Sequence, residues 1–340
     1  MWNPESYLQG LTGNVKRRAA FHPDRNWKEW NEGLREQLRT LLGGFPSLPA
    51  ELKPSLLESE IYEDHIRERV EITTYDGLRM PMYVLIPRHT EAPHPAVIAL
   101  HGHGYGSREI VGLKPDGSER DGDPGLHKDF ALELVRRGFM VIAPELIGFG
   151  DRRLEEDKAA APQKSSCFRI AAHLLMMGQT IAGYRVYETM RAIDYLQMRQ
   201  DANAVQLGCM GISGGGLVAA FTSALDQRIR ATVVSGYANT FQASILKVGH
   251  CLDNYIPGIS LEAEMPDIIG LIAPRPLFIE SGDKDKVFPL AGAQEAFEQL
   301  KRVYAAAGAN EQLAADFFAG GHEIHGTNAY EWLGQLHKNK

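Results

Sequence analysis

The chain has few cysteines, no long apolar run and no excess of basic charge, and each lack removes a class of protein. Only three of its 340 residues are cysteine, Cys167, Cys209 and Cys251. They are odd in number, far apart and form no CxxC pair, so neither a disulfide framework nor a structural metal is expected. The longest apolar runs have the length of a core strand, and no membrane partner is expected. No basic stretch at the N-terminus leads into an apolar segment, so no secretory signal is read and a cytoplasmic location is expected. Lys and Arg number 36 against 43 Asp and Glu, a net charge of −7. A mildly acidic chain gains little from phosphate backbones, so nucleic acid is not an expected partner. No G-x-x-x-x-G-K-[ST] string is present, which removes a P-loop. What remains is an ordinary globular composition, 44% apolar and 23% charged, in a chain long enough to need no staples.

Residues 1–60 read as a helical extension. Trp27, Trp30, Leu34, Leu38 and Leu41 recur at spacings of three and four, and Gly43, Gly44 and Pro46 end the stripe. From there the pattern changes. Arg67–Tyr75 and Leu78–Ile86 alternate around an Asp76-Gly77 turn and predict a hairpin. Pro95–Leu100 is wholly apolar, as expected of a strand covered on both faces. Strands and helices then alternate. Strands are predicted at 139–144, 205–210, 229–235, 276–280 and 313–318. Helices are predicted at 127–137, 182–199, 217–225, 290–304 and 327–336. Residues 237–272 are irregular and read as an insertion; Met176 and Met177 read as core. The result is an α/β chain: a mostly parallel sheet with an opening antiparallel hairpin and helices on both faces. Residues 61–340 form one catalytic domain, with reactive groups on loops at the carboxyl ends of strands.

Gly211-Ile212-Ser213-Gly214-Gly215 matches G-x-S-x-G between a predicted strand and a predicted helix. At such a turn a serine hydroxyl is pushed out of the sheet edge, and flanking glycines avoid collisions with the neighbouring backbone. Ser213 is therefore the candidate nucleophile. It needs a base. His322, directly after the last strand in Gly320-Gly321-His322, is the candidate, with His325 its nearest competitor. The spacing of His322 and His325 is not that of H-E-x-x-H. The imidazole needs an orienting acid. The turn after PLFIE offers Asp283 and Asp285; Asp285 lies further round, where it can reach a neighbouring loop, whereas Asp283 is placed to brace the turn.

Acyl transfer also needs donors aimed at the developing oxyanion. The Gly214 amide, at a helix N-terminus, is one. The second is assigned to the His103 amide in His101-Gly-His-Gly-Tyr-Gly106, where glycines allow close approach. His101 and His103 alone, without a carboxylate nearby in sequence, are a poor metal site, and no metal or organic cofactor is expected.

Together these strings resemble the α/β-hydrolase superfamily, and within it serine esterases of the acetyl xylan esterase and dienelactone hydrolase-like group. The resemblance runs from about 66 to 336: LHGHG at 100–104, APELIGFGDRR at 143–153, MGQTIAGYRVYETMRAIDYL at 177–196, GISGGG at 211–216, HCLDNYIPG at 250–258, APRPLFIESGDKDKVFP at 273–289 and GGHE at 320–323. It implies an α/β-hydrolase fold, a Ser213–Asp285–His322 triad and backbone donors from His103 and Gly214. True dienelactone hydrolases use cysteine where this chain has Ser213, which counts against a lactone substrate.

The expected activity is hydrolysis of carboxylic esters, small-molecule or carbohydrate, through an acyl-enzyme. Tyr105, Glu145, Arg152, Gln179, Tyr237, His250 and Tyr255 are candidate substrate contacts. Two alternatives stand beside this reading. One is a serine peptidase or amidase of the prolyl oligopeptidase type, whose propeller does not fit in 60 residues. The other is a non-catalytic binding protein on the same scaffold. The N-terminal extension is free to cover the site or to mediate homo-oligomerisation.

Overall fold

The computed structural model describes residues 2–13 and 15–338. Among the described residues nine strands form one sheet: β1 (Ser55–Ile61), β2 (His65–Tyr75), β3 (Leu78–Pro87), β4 (His94–Leu100), β5 (Met140–Pro144), β6 (Ala202–Ile212), β7 (Ala231–Ser235), β8 (Leu277–Gly282) and β9 (Leu313–Phe318). Their order across the sheet is β1-β2-β3-β5-β4-β6-β7-β8-β9. β1–β2, β2–β3 and β3–β5 pair antiparallel, and every pairing from β5–β4 through to β8–β9 is parallel. The helices are α1 (Pro4–Gly13), α2 (Trp27–Leu41), α3 (Phe130–Arg136), α4 (Glu155–Lys158), α5 (Cys167–Met176), α6 (Ile181–Met198), α7 (Gly214–Leu225), α8 (Ile259–Glu262), α9 (Met265–Gly270), α10 (Leu290–Ala306) and α11 (Thr327–Lys338). Among the described residues no helix is long and apolar enough to cross a membrane.

Side chains alternate across the sheet, so neighbours in one strand serve opposite cores. In β3 and β4, Met82, Val84, Ala96 and Ile98 join the larger apolar cluster, with α2, α6, α7 and α9. Tyr83, Leu85, Val97 and Ala99 join the smaller one, with α3 and α11. Coverage on both faces explains why β4, β5 and β7 read as continuous apolar runs.

Three sequence expectations change. Residues 55–60 belong to edge strand β1 and not to a helical extension. All seven β1 residues are exposed, so there is no buried face to impose an alternating pattern. The 237–272 segment is irregular only in part, since it includes α8 and α9. Met176 and Met177 lie at the solvent end of α5, 86% and 76% exposed, and are not core.

Helix α2 is part of the main core. Asn26 caps it by accepting from the amides of Lys28 and Glu29. Its buried stripe, Trp30, Leu34 and Leu38, sits in the larger cluster, and Trp30 Nε1 donates to Ala19 O at 2.8 Å. Leu38→Ala should therefore destabilise the whole chain by roughly 2–5 kcal/mol. Urea unfolding should show one transition moved to lower denaturant. A separate early transition, with the main one unmoved, would mean that α2 unfolds independently.

Candidate active site

β6 and α7 are separated by one residue, Ser213, with φ 56° and ψ −124°. This backbone costs a non-glycine residue about 1–3 kcal/mol, so its surroundings must hold it. Ser213 N–H donates to Ser235 O at 3.0 Å, and Ser213 O accepts from Leu217 N at 3.0 Å. The corner is also pressed from outside. A Cβ on Gly215 would lie 2.1 Å from Leu100 O, and one on Gly211 would lie 2.2 Å from Gly215 O. Neither contact is sterically allowed, so both flanking positions require glycine.

The loops after β8 and β9 bring an acid and a histidine together. His322 Nδ1 is 2.7 Å from Asp285 Oδ2. Asp285 is buried, and its other oxygen accepts from the Val287 and Phe288 amides at 2.7 and 2.9 Å. The carboxylate selects the tautomer with the proton on Nδ1, which leaves Nε2 able to accept one. The ring stacks on Phe288 with centroids 5.7 Å apart. It also lies over Gly236, where a Cβ would meet His322 Cε1 at 3.1 Å. Gly236 directly follows Ser235, the acceptor of the Ser213 amide, so the imidazole and the serine share one corner. Asp283 is occupied differently, accepting from Gly320 N at 3.0 Å and bracing the histidine loop. His325 pairs with Asp316 at 2.8 Å, on β9.

The loop after β4 faces the same corner. A Cβ on Gly214 would lie 3.4 Å from His103 Cε1. Among the described residues, neither the His103 nor the Gly214 amide N–H meets a protein acceptor. The loop is braced from beneath. Gly102 N–H donates to His127 Nε2 at 2.9 Å, and Tyr105 N–H donates to Glu109 at 2.9 Å. His101 is fully buried; its Nδ1 meets Gly102 O at 2.9 Å and its Nε2 accepts from Leu146 N at 3.2 Å. Both ring nitrogens are thus used by the neutral ring, and burial holds the imidazole down to about 3. Its 3.5 Å approach to Glu145 is therefore no charge pair, the more so because burial also pushes the Glu145 carboxyl up.

Several candidate substrate contacts are engaged elsewhere. Glu145 is buried and accepts from both N–H and Oγ of Ser107 at 2.9 Å. Its carboxyl fills the space that side chains on Gly106 and Gly150 would need, so it is a brace and not a pocket residue. Arg152 forms a bidentate pair with buried Glu188 at 2.6 and 2.7 Å, which ties the loop after β5 to α6. The Tyr105 hydroxyl donates to Leu113 O and accepts from Arg120. Gln179 accepts from Tyr184, and its backbone packs on the Gly43 turn. Tyr255 donates to Ile245 O and lines an apolar recess of about 250 Å³ with Leu175, Phe241 and Ile256. Tyr237 and His250 stay near the corner, both against Phe288 with centroids 5.3 and 5.1 Å away.

The sequence reading missed Asp253 and Arg185. Asp253 is buried beside the loop after β4, its Oδ2 3.4 Å from His103 Nε2, and it pairs with Arg185. Burial opposes its ionisation, but His103 and Arg185 outweigh burial and hold it below the usual carboxylate range. Asp253 lies in HCLDNYIPG and Arg185 in MGQTIAGYRVYETMRAIDYL, two of the segments that carry the family resemblance.

A serine-bearing turn between β6 and α7, with aspartate and histidine loops after β8 and β9, is the arrangement of an α/β-hydrolase architecture. The sequence profile of the Abhydrolase family matches residues 6–319, and the chain belongs to that family. It is 31% identical over 297 residues to a Bacillus subtilis (strain 168) protein named "Putative hydrolase YtaP", covering 85% of this chain and 92% of that one. Similar solved structures include a "putative acetyl xylan esterase" from Bacteroides fragilis NCTC 9343, with TM-score 0.79, 21% identity, and 94% and 83% of the two chains covered. A glucuronoyl esterase from Solibacter usitatus follows with TM-score 0.66, 15% identity, and 94% and 97% covered.

The buried neutral His101 makes stability depend on pH. The unfolded chain takes up a proton on this residue below its ordinary value of 6.5, whereas the folded chain does so only near 3. Stability should thus be lost as pH falls through 6.5, by about 2 kcal/mol at pH 5 from this residue alone. In His101→Gln, urea midpoints should fall less steeply between pH 7 and pH 5 than in the parent. Equal slopes would mean that His101 does not carry the effect.

Proposed function

We propose that the protein is a serine carboxylesterase that acts on acetyl or similar small acyl esters, including those carried by carbohydrates. The observation that carries the reading is the shared corner: a strained Ser213 at the N-terminus of α7 whose amide bonds Ser235 O, and a His322, held by buried Asp285 at 2.7 Å, that lies over the next residue, Gly236. Ser213 Oγ attacks the ester carbonyl while His322 Nε2 takes its proton. The carbonyl oxygen becomes an oxyanion and accepts from the His103 and Gly214 amides. Asp285 stabilises the imidazolium without taking its proton. His322 then protonates the leaving alcohol, and the acyl group remains on Ser213. Water, deprotonated by His322, attacks the acyl-enzyme and releases the acid, which restores the serine.

The carbohydrate side of the proposal is supported by the esterases that share the fold, among them the glucuronoyl esterase from Solibacter usitatus and acetyl xylan esterase 1 from Thermoanaerobacterium sp. JW/SL YS485. Tyr237 and His250, packed around Phe288, are the candidate substrate contacts nearest the triad. A panel of p-nitrophenyl esters of increasing acyl length, run beside acetylated xylo-oligosaccharides, tests the substrate class. The acetyl esters are expected to turn over fastest.

Ser213→Ala should reduce p-nitrophenyl acetate turnover to within background, a loss on the order of 10⁴-fold or more. Unchanged turnover would remove Ser213 from the chemistry. The two aspartates should separate cleanly. Asp285→Asn should lower kcat by roughly 10²–10⁴-fold with little change in KM, because the imidazole loses its orienting acceptor. Asp283→Asn removes one loop hydrogen bond and should cost under about 10-fold. The reverse ranking would assign the orienting role to Asp283.

A further inference from the structure

Beside the donor loop, three distant chain segments bring four metal-binding side chains together. His103 follows β4, Cys167 opens α5, and Cys251 and Asp253 lie in the segment between β7 and α8. One donor atom from each lies within 4.8 Å of every other. Cys167 and Asp253 are buried, and His103 and Cys251 are half-buried. His103 Nε2 is shielded from solvent yet has no hydrogen-bond partner, and Asp253 Oδ2 stands 3.4 Å from it.

We propose that His103, Cys167, Cys251 and Asp253 form a binding site for a borderline-soft divalent cation of the zinc type. Tetrahedral bonds of about 2.0–2.3 Å require donor atoms roughly 3.3–3.8 Å apart. The His103–Asp253 edge already has that length, and the others need to contract by about 1.5 Å or less. The donor set selects the ion. Two thiolates and an imidazole favour Zn²⁺ or Co²⁺ over Mg²⁺ and Ca²⁺, which require oxygen.

Charge and outer contacts fit as well. With both thiols ionised on binding and their protons released to solvent, two thiolates and a carboxylate face the single positive charge of Arg185. A divalent cation brings the cluster to neutrality. Arg185 donates to Cys167 Sγ at 2.9 Å and to Asp253 Oδ2, and would orient both as ligands. A bound ion would join α5 and the 251–253 turn to the loop that carries the His103 amide. A second group, Glu280, Asp316 and His325, offers only oxygen and nitrogen donors and serves as an internal contrast.

The test uses the whole chain, kept reduced under anaerobic conditions and titrated with Co²⁺. Thiolate-to-cobalt charge-transfer absorption should appear in the near ultraviolet with intense tetrahedral d–d bands, and saturate at about one equivalent per chain. Zn²⁺ should bleach it, and excess Mg²⁺ should not. Cys251→Ser, at a half-exposed position, should remove about half of the charge-transfer intensity, and a Cys167→Ser, Cys251→Ser double variant all of it. Cys209→Ser, on β6 and outside the cluster, should leave the spectrum unchanged, and thermal melts should show each variant folded. The proposal does not rest on the esterase reading: Ser213→Ala should give the parent spectrum whatever the ester assays yield. Absence of thiolate absorption at one equivalent, or its persistence in the folded double variant, would overturn the site.

Discussion

Helix α7 starts in backbone contact with the end of β4, and the Ser213 corner exists only because no side chain stands between them. A Cβ at Gly215 would lie 2.1 Å from Leu100 O. This approach brings the N-terminal amides of α7, with their partial positive charge, next to the loop that carries His103. It also fixes Ser213 in a backbone conformation that its own chemistry disfavours. Hydrogen bonds to Ser235 and Leu217 hold the serine in place, so the strain is distributed over two strands and a helix. The sheet order supports this arrangement. β4 lies between β5 and β6, and the chain departs from it to opposite sides, which opens a crevice at the strands' carboxyl ends.

Around that corner several buried polar side chains pair with one another inside the protein. Arg152 and Glu188 pair beneath the loop after β5, Arg185 and Asp253 pair behind the loop after β4, and Glu145 fills the space left by two glycines. Buried ion pairs recover little net stability once desolvation is counted. They do fix geometry, because breaking one would strand a charge away from water. His101 shows the same economy in neutral form: both ring nitrogens are engaged, so the loop gains two anchors without a buried charge.

How much was legible follows from where each residue stands relative to its strand. Ser213, Asp285 and His322 each sit within a few residues of a strand's carboxyl end, and strands announce themselves by apolar patterning. Position along the chain was then enough to nominate them. The same logic nominated Tyr105, Glu145 and Arg152, and it misled there. A loop address says which end of the sheet a residue occupies but not which way its side chain turns. Glu145 turns into the protein toward Ser107, and Arg152 turns toward Glu188. Met176 and Met177 were misread for a related reason: apolar character predicts burial only on average, and they close α5 at the surface.

The sequence by itself determined the alternation of strands and helices, the glycines at the serine turn and the order serine, aspartate, histidine. These are local properties, fixed by periodicity, steric exclusion and residue type over a few positions. Only the tertiary structure decided that Asp285 meets His322 while Asp283 braces the loop. It alone decided that β1 completes the sheet edge without a buried face. It also gathered His103, Cys167, Cys251 and Asp253 from segments that share no pattern in the chain. Such contacts depend on the packing of separate segments, and no short-range signal encodes them.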